Sequence, residues 1–347
     1  MGAALGAVAL TTVVSAPDAV LAAGGAGVGL GTTRVWPTAP RTVEELRRHG
    51  TKESVAPSAD GAGISIVVNP GARAADGVDT AGLLADRLPA ATVHVVEDGD
   101  DVGDVLAKAA GEATVALGAA GGDGTISAAA DLAERHGLRL LALPAGTLNH
   151  FARDLGLLSI DDAVDAVHDG HAVRVELASV DDRTFVNTLS FGAYTELVDA
   201  REQLEDRVGK WPAVAVALVR VLRRSTPIEI DVDGRRRRIW LAFVGNGRYE
   251  PSGFAPSWRE RLDDGVLDVR LVDGDQPWAR TRLVLSVLTG RLGRSTVYEQ
   301  RVAPSLTLRS ADGSLLALAL DGERCDVAPE VTVAKDGRCV SVHAPHR

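Results

Sequence analysis

Apolar residues along the chain follow two different rhythms, and the first begins at residue 64. From there to about residue 155, short apolar runs alternate with stretches whose apolar residues recur every three to four positions. The spacing predicts strands and helices in strict alternation, a strand first, at residues 64–68, 80–88, 92–96, 102–110, 114–117, 126–136, 138–143 and 148–155. Such alternation is typical of an α/β domain with a doubly wound parallel sheet.

The second rhythm, after about residue 172, has period two and contains one helical interval, at 194–222. Strands are predicted at 173–177, 184–189, 228–232, 239–244, 267–272, 305–308, 315–320 and 330–334. The first two are interpreted as neighbours, and Asp233-Gly234 predicts a hairpin turn after the third. This half is therefore expected to be a mostly antiparallel β-sandwich, a fold able to enclose an apolar ligand.

These rhythms divide the chain into three parts. Residues 1–62 form an apolar leader and a proline-rich linker with a short helix candidate at 43–49, residues 63–172 the α/β domain, and residues 173–347 the β-rich domain. Residues 1–30 carry one charge, Asp18, and are too broken by glycine and proline for a comfortable spanning helix. We expect a flexible leader, with membrane contact as the alternative.

Charge and cysteine content limit the kinds of protein and the cellular compartment that the sequence fits. The formal net charge is -10, which argues against a nucleic-acid binder because such proteins need excess Lys and Arg. Residues 201–300 nevertheless hold 18 basic against 14 acidic residues, which fits either an anionic membrane surface or a solvated basic face. Cys325 and Cys339 cannot form a disulfide framework, so a reduced, cytoplasmic location is expected, peripheral to the membrane.

A glycine-rich loop follows the predicted strand 114–117. Gly121, Gly122 and Gly124 allow the backbone to turn sharply and bring N–H groups to phosphate oxygens, and the helix after Thr125 directs its positive end there. Asp123 is the exception, because a bare carboxylate would repel phosphate. It is interpreted as binding magnesium, orienting the loop or moving a proton; the alternative is a plain turn in which it caps the helix.

A second loop strengthens this interpretation. Gly146, Thr147 and Asn149 also lie between a buried strand and a helix, so the two loops should meet at the strand ends where ligands bind in open α/β sheets. Asn69, at a third strand end, is expected to complete the wall. The Walker pattern GxxxxGK[ST] is absent. Residues 63–172 are thus predicted to bind a nucleotide.

Several motifs in order resemble a known family. They are Gly121–Thr125, the run from Pro144 to Gly156 (PAGTLNHFARDLG), FVNTLSFG at 185–192, GNGRY at 245–249, LDDGVLD at 262–268 and Asp321-Gly322-Glu323. Together they resemble the diacylglycerol kinase catalytic domain, whose superfamily includes sphingosine and ceramide kinases and bacterial soluble lipid kinases. The resemblance runs from about residue 64 to 334 and implies an NAD kinase/diacylglycerol kinase-like fold that uses ATP.

The resemblance also implies roles for residues. Glu323 is the preferred general base and Asp321 its metal-binding or orienting neighbour, although these roles could be exchanged. A structural Mg²⁺ is implied at the Asp264 carboxylate with the carbonyls of Arg261 and Val266, apart from the Mg²⁺ that ATP carries. Ser127 stands where the family often has Asn; it can still form a hydrogen bond and is expected to take part in nucleotide binding. The Ser-Gly pair often found at residues 69–73 is missing, so phosphate contacts from that loop are left open, with Arg73 as a residue that could compensate.

The sequence thus predicts a kinase that transfers the γ-phosphate of ATP to diacylglycerol or a similar long-chain alcohol. An NAD kinase-like soluble kinase and a non-catalytic lipid-binding protein with this fold are the alternatives. A lipid alcohol and a peripheral membrane surface are the expected partners, a homodimer is compatible with this interpretation, and the acceptor lipid is left open. The arginine run 235–238 is interpreted as solvated charge.

Overall fold

The computed structural model describes residues 50–69, 79–194, 219–221, 223–253 and 256–346. Their first sheet has seven strands in the order β1-β6-β20-β5-β4-β2-β3. These strands are β1 (Lys52–Ser54), β2 (Ile64–Val68), β3 (Thr92–Val95), β4 (Ala116–Gly121), β5 (Arg139–Pro144), β6 (His171–Glu176) and β20 (Cys339–His343). Strands β3, β2, β4, β5 and β20 are parallel, whereas β6 is antiparallel to both of its neighbours.

Helices connect the parallel strands. They are α1 (Thr80–Arg87), α2 (Val102–Glu112), α3 (Asp123–His136), α4 (His150–Asp154) and α5 (Ile160–Asp169); α6 (Ala279–Leu288) and a 3₁₀ turn (Leu292–Arg294) lie later in the chain. Local sequence defines their ends. Asp79 and Asp101 accept N-terminal N–H groups, Ser159 begins α5 with a capping box, and Gly137 ends α3 in the left-handed conformation.

Close packing between neighbouring strands of the first sheet accompanies a β4 that is longer than predicted. Every residue of β2 and β4 is buried. A Cβ atom on Gly118 would lie 2.9 Å from the Ile66 side chain, so this glycine lets the strand pass close to its neighbour and run on to Gly121. Helix α3 then begins at Asp123 rather than at residue 126, and only Gly122 separates strand from helix.

The second sheet has eleven antiparallel strands. They are β7 (Ala178–Val180), β8 (Arg183–Phe185), β9 (Thr188–Gly192), β10 (Ile228–Val232), β11 (Arg235–Asn246), β14 (Leu267–Asp273), β15 (Tyr298–Ala303), β16 (Ser305–Ser310), β17 (Leu316–Leu320), β18 (Glu323–Val327) and β19 (Glu330–Ala334). A small ribbon, β12 (Tyr249–Glu250) with β13 (Trp258–Arg259), stands apart. The strands β17 and β16 are far apart in the strand order, yet Leu318 of the first and Leu306 of the second lie in one core. The sheet therefore curls around that core.

The expected fold class, a parallel-dominated α/β sheet followed by a mostly antiparallel β region, is confirmed. The Asp233-Gly234 hairpin is present, with Val232 opposite Arg235. The pairing expected between strands 173–177 and 184–189 is wrong. Strand β6 lies in the first sheet, because its buried face packs in the core of the α/β half.

Further features were not predicted, among them α5, α6, β15 and β20. Strand β20 comes from the end of the chain and pairs with β5 and β6 in the first sheet. The predicted domain boundary at residue 172 stays a prediction. The topology shows in addition that β20, from the end of the chain, returns to the first sheet. The expected leader, the helix at 43–49 and most of the helical interval at 194–222 lie outside the described residues.

Candidate active site

Two loops from neighbouring parallel strands meet at the carboxyl edge of the first sheet. β4 passes into α3 through Gly122, and β5 passes into α4 through residues 145–149. Their backbones touch, since a Cβ atom on Gly146 would lie 2.6 Å from Cα of Gly122. Only glycine permits this approach. The contact brings backbone N–H groups of both loops close to the N-terminus of α3, an arrangement that attracts anions.

Asp123 ties the first loop to the second. Its two carboxylate oxygens accept the backbone N–H groups of His150 and Phe151, both at 3.1 Å. These donors are the first N–H groups of α4, so Asp123 caps a neighbouring helix rather than its own. Of the roles expected for this residue, the contacts match loop orientation.

Asn149 closes the second loop on itself. Its backbone has φ of 50°, and its amide bonds both the N–H and the carbonyl of Gly146, at 2.8 and 2.6 Å. Asparagine is among the few residues that tolerate this left-handed conformation. The bonds hold the loop open with Thr147 exposed at its tip.

Three other predicted nucleotide residues lie around these loops. Asn69 follows β2, and its N–H donates to the carbonyl of Ala120 at 3.0 Å, which places it beside the end of β4. Thr125 packs against Gly121, whose Cβ atom would lie 2.7 Å from Cβ of Thr125. Ser127 does not face the loops, because its buried hydroxyl donates to the carbonyl of Thr184 in β8.

Asp321 begins the two-residue turn between β17 and β18. Asp321 and Gly322 both have positive φ, as a type I′ hairpin turn requires. The carboxylate accepts the N–H groups of Val186, Asn187 and Thr188 at 2.7 to 2.9 Å. Desolvation raises the pKa of this carboxyl to about 6, against the opposing effect of these donors, and the nearby charge of Asp123 adds to the rise.

Glu323 brings the second sheet to the first glycine loop. A Cβ atom on Gly124 would overlap the Glu323 carboxylate, which therefore lies directly over that loop. Glu323 is exposed, in contrast to the enclosed carboxylate of Asp321 two residues earlier. Residues far apart in sequence, Asp123, Gly124, Gly146, Asp321 and Glu323, thus form one site.

A buried ion pair that the sequence did not reveal lies behind the site. Arg259 is fully buried and bonds the Asp154 carboxylate at 2.7 Å. Its guanidinium also donates to the carbonyls of Val186 and Asn246 and to the side chain of Asn187. In sequence Arg259 belongs to the charged run WRER, which is typical of a surface, so only tertiary packing identifies it.

The residues expected to hold a structural Mg²⁺ do not fit one. Asp264 Oδ1 lies 3.8 Å from the ammonium of Lys335, whose pKa burial lowers. The carbonyl of Val266 already accepts the N–H of Gly247 at 3.0 Å. Within the described ranges, no three His, Cys, Asp or Glu side chains group around a candidate metal position.

Comparison with known proteins identifies the fold family. The sequence profile of the diacylglycerol kinase catalytic domain matches residues 64–180. A Pseudomonas aeruginosa protein named "Probable lipid kinase YegS-like" is 33% identical over 240 residues, which cover 65% of this chain and 76% of that protein. The chain belongs to the diacylglycerol kinase catalytic domain family.

Two further similar proteins have lower identity to this chain. A Staphylococcus carnosus protein named "Diacylglycerol kinase" is 29% identical over 210 residues, 55% of this chain and 68% of that protein. A crystal structure of a diacylglycerol kinase from Bacillus anthracis superposes with a TM-score of 0.54 at 18% identity, covering 81% of this chain and 96% of that one. The family resemblance expected from the motifs is therefore confirmed. No helix among the described residues is long and apolar enough to cross a membrane.

Proposed function

We propose that this protein is an ATP-dependent kinase that phosphorylates the hydroxyl group of diacylglycerol or a similar long-chain alcohol. The observation that carries the proposal is the position of Glu323 over Gly124. It sets an exposed carboxylate from the second sheet against a loop suited to phosphate, which is the pairing of base and phosphoryl donor that transfer to an alcohol needs.

The touching glycine loops support ATP as the phosphate donor. Side chains would fill the space at Gly146, and the backbone N–H groups of both loops remain beside the N-terminus of α3. In this proposal residues 121–125 and 146–147 hold the phosphates. Asn69, at the end of β2, lines the same site. Asp123 and Asn149 fix the shapes of the two loops. Ser127 is not included, because its hydroxyl bonds Thr184.

The chemistry assigned to Glu323 is general-base catalysis. Its carboxylate takes the proton of the acceptor hydroxyl as that oxygen forms a bond to the γ-phosphorus; the bond to the β,γ-bridging oxygen breaks, and ADP leaves. When bound together with ATP, Mg²⁺ would supply neutralisation of charge on the phosphates. Asp321 positions the turn that carries Glu323, since both of its oxygens are bonded to backbone N–H groups.

A partly open cavity in the second sheet supports a lipid acceptor. Its volume is about 410 Å³; one side is apolar, with Phe191, Ile230, Leu316 and Leu318, and its rim carries Glu229, Arg236 and Asp312. β17, which contributes two of these residues, runs directly into the turn at Asp321. At about 3.3 Å per residue, Leu318 lies roughly 10 Å along the chain from that turn. In this proposal an acyl chain extends from the cavity along β17 toward the turn that carries the proposed base.

Helix α6 supports peripheral contact with a membrane. Trp278, Leu285 and Leu288 are 79%, 55% and 64% exposed. Leu285 and Leu288, three residues apart, lie on one side of the helix, and Trp278 immediately precedes its first turn. Exposed arginines surround them at 280, 282, 291 and 294. Aromatic and apolar residues flanked by basic ones are typical of an interfacial helix on anionic lipid.

The proposal is tested with purified protein, labelled ATP and Mg²⁺. Diacylglycerol in mixed micelles is expected to yield labelled phosphatidic acid, whereas NAD offered in the same buffer stays unlabelled. Labelled NADP would instead identify the soluble-kinase alternative. ATP binding without transfer to any long-chain alcohol would refute the catalytic role and leave a lipid-binding protein.

A further inference from the structure

Lys335 occupies the corner where the resemblance led us to expect a magnesium ion. It follows β19, and its backbone N–H donates to the carbonyl of Pro304 at 2.9 Å. The side chain is 2% exposed, and its ammonium lies 3.1 Å from Oε2 of Glu176 and 3.8 Å from Oδ1 of Asp264. A buried ammonium therefore faces two carboxylates, one at the end of β6 and one in the turn before β14.

Backbone donors fix both carboxylates in place. Glu176 Oε2 accepts the N–H of Gly265 at 2.8 Å. Asp264 accepts the N–H of Arg248 at 2.8 Å with Oδ2 and that of Val266 at 3.3 Å with Oδ1. In this partly desolvated corner the two negative charges repel each other, and a cation beside them offsets that repulsion.

Two of the three oxygens that the resemblance assigned to a divalent ion lie at this corner, beside the Lys335 ammonium. A Cβ atom on Gly247 would lie 3.2 Å from the carbonyl oxygen of Arg261 and 3.4 Å from Oδ1 of Asp264, so both oxygens border the same small space. Mg²⁺ binds oxygen at about 2.1 Å. An ion on Oδ1 of Asp264 would thus lie within about 6 Å of the ammonium, where like charges oppose each other strongly in a buried site.

We propose that the ammonium of Lys335 replaces the structural divalent ion in this protein. It joins the Asp264 turn of the second half to Glu176 of the first sheet. The stability of the protein is then independent of divalent metal, and any Mg²⁺ requirement of catalysis belongs to ATP alone. The proposal concerns this corner only and does not depend on the activity proposed above.

Thermal unfolding without nucleotide tests it. Wild-type protein is expected to unfold at the same Tm in EDTA and in 5 mM MgCl₂. Lys335→Met leaves two carboxylates without their cation, so its Tm in EDTA should fall by on the order of 10 °C. Magnesium should restore much of that loss by binding the vacated corner. Lys108→Met, an exposed lysine on α2, is the matched control and should change neither value.

A double variant covers the case in which Lys335→Met fails to fold. Glu176→Gln together with Lys335→Met removes one negative charge along with the cation, and is expected to fold in EDTA with a higher Tm than the single variant. The proposal is overturned if wild-type Tm rises with Mg²⁺, if calorimetry finds one tight Mg²⁺ on nucleotide-free wild type, or if the double variant is no more stable than Lys335→Met.

Discussion

At the scale of single residues, two carboxylates near the same turn have opposite surroundings. Asp321 accepts three backbone N–H groups, and burial raises its pKa to about 6. Glu323 is exposed and lies over Gly124. The sequence left open which of them is the base. A carboxylate whose oxygens are already bonded to the backbone is poorly placed to receive a proton from substrate, so the geometry favours Glu323.

Replacement of Glu323 by Gln tests this division. The amide keeps the shape of the side chain but cannot take a proton, so kcat is expected to fall by about 10² to 10⁴-fold. Because Glu323 is exposed, Tm should stay within about 1 °C of wild type. Asp321→Asn is the comparison, since an amide cannot accept all three N–H groups; it should lower Tm as well as kcat. Near wild-type kcat in Glu323→Gln would exclude it as the base.

At the scale of elements, the two glycine loops act as one unit. Gly146 touches Gly122, Asp123 caps α4, and Asn149 holds the second loop. The phosphate site is therefore built from backbone contacts between two strand–helix connections. A change in one loop is expected to displace the other.

Gly146→Ala should show this coupling. Its Cβ atom would meet backbone atoms of Gly122, which cannot rotate away as a side chain could. We expect KM for ATP to rise at least about tenfold, as 1.4 kcal/mol of lost binding implies, together with a lower Tm. Gly111→Ala in α2 is the control, because its Cβ atom meets nothing within 4 Å. It should leave KM unchanged and keep or raise Tm. Equal KM values for both variants would contradict the coupling.

Helix α6 carries the second prediction at this scale. Trp278→Ala with Leu288→Ala removes exposed apolar area, so binding to phosphatidylglycerol vesicles should weaken by about tenfold or more. Sedimentation of the protein with vesicles measures the bound fraction. Leu158→Ala, at an apolar residue 49% exposed elsewhere, is the control. Equal binding by the double variant and the control would remove α6 from the membrane surface.

At the scale of the whole molecule, one buried and one partly buried set of charges join its two halves. Arg259 reaches from β13 to Asp154 in α4, and Arg338 bonds Asp131 and Glu134 of α3 from the segment before β20. These contacts lie behind the site and hold the glycine loops against the second sheet. The relative position of base and phosphate loop therefore depends on them.

Arg259→Met should destabilise the protein strongly. It leaves Asp154 buried without a partner, a change that typically costs about 3–5 kcal/mol. Urea unfolding measures the loss. Arg135→Met removes the exposed ion pair with Asp131 and should cost less than about 1 kcal/mol. Adding Asp154→Asn to Arg259→Met should recover part of the lost stability. If Arg135→Met lost as much stability as Arg259→Met, the buried pair would have no special role.

Acid stability is also a property of the whole fold. Burial in β20, with Arg139 nearby, lowers the pKa of His343 to about 4. The unfolded chain then binds this proton first, so the contribution of His343 to stability is lost as pH falls from about 6.5 toward 4. Asp321 acts in the opposite direction, because its raised pKa means that protonation near pH 6 favours the folded state.

The two effects are separated by comparing wild type with His343→Leu in urea at pH 7 and pH 5. The variant lacks the histidine contribution, so wild type should lose on the order of 2 kcal/mol more than the variant over this interval. An equal change in both proteins would show that His343 does not titrate with a lowered pKa.

Much of this fold could be predicted because its signals are local. β2, β10 and β19 have the predicted bounds, and most other strands differ by a few residues. Period-two and helical patterns reflect which face of an element is buried, and the Asp233-Gly234 turn carries its own conformational preference. β6 was placed in the wrong sheet because an apolar strand does not specify its neighbour.

The sequence by itself determined the two loops, the acidic turn and the family, since glycine spacing and motif order are properties of the chain. Only the tertiary structure decided what each charged group does. It set Asp123 on α4, enclosed Asp321, left Glu323 exposed and brought Lys335 to Asp264. The physical reason is that burial and charge pairing join distant segments. Val186 and Asp321, for example, are more than a hundred residues apart in sequence. Such pairings leave no trace in local periodicity.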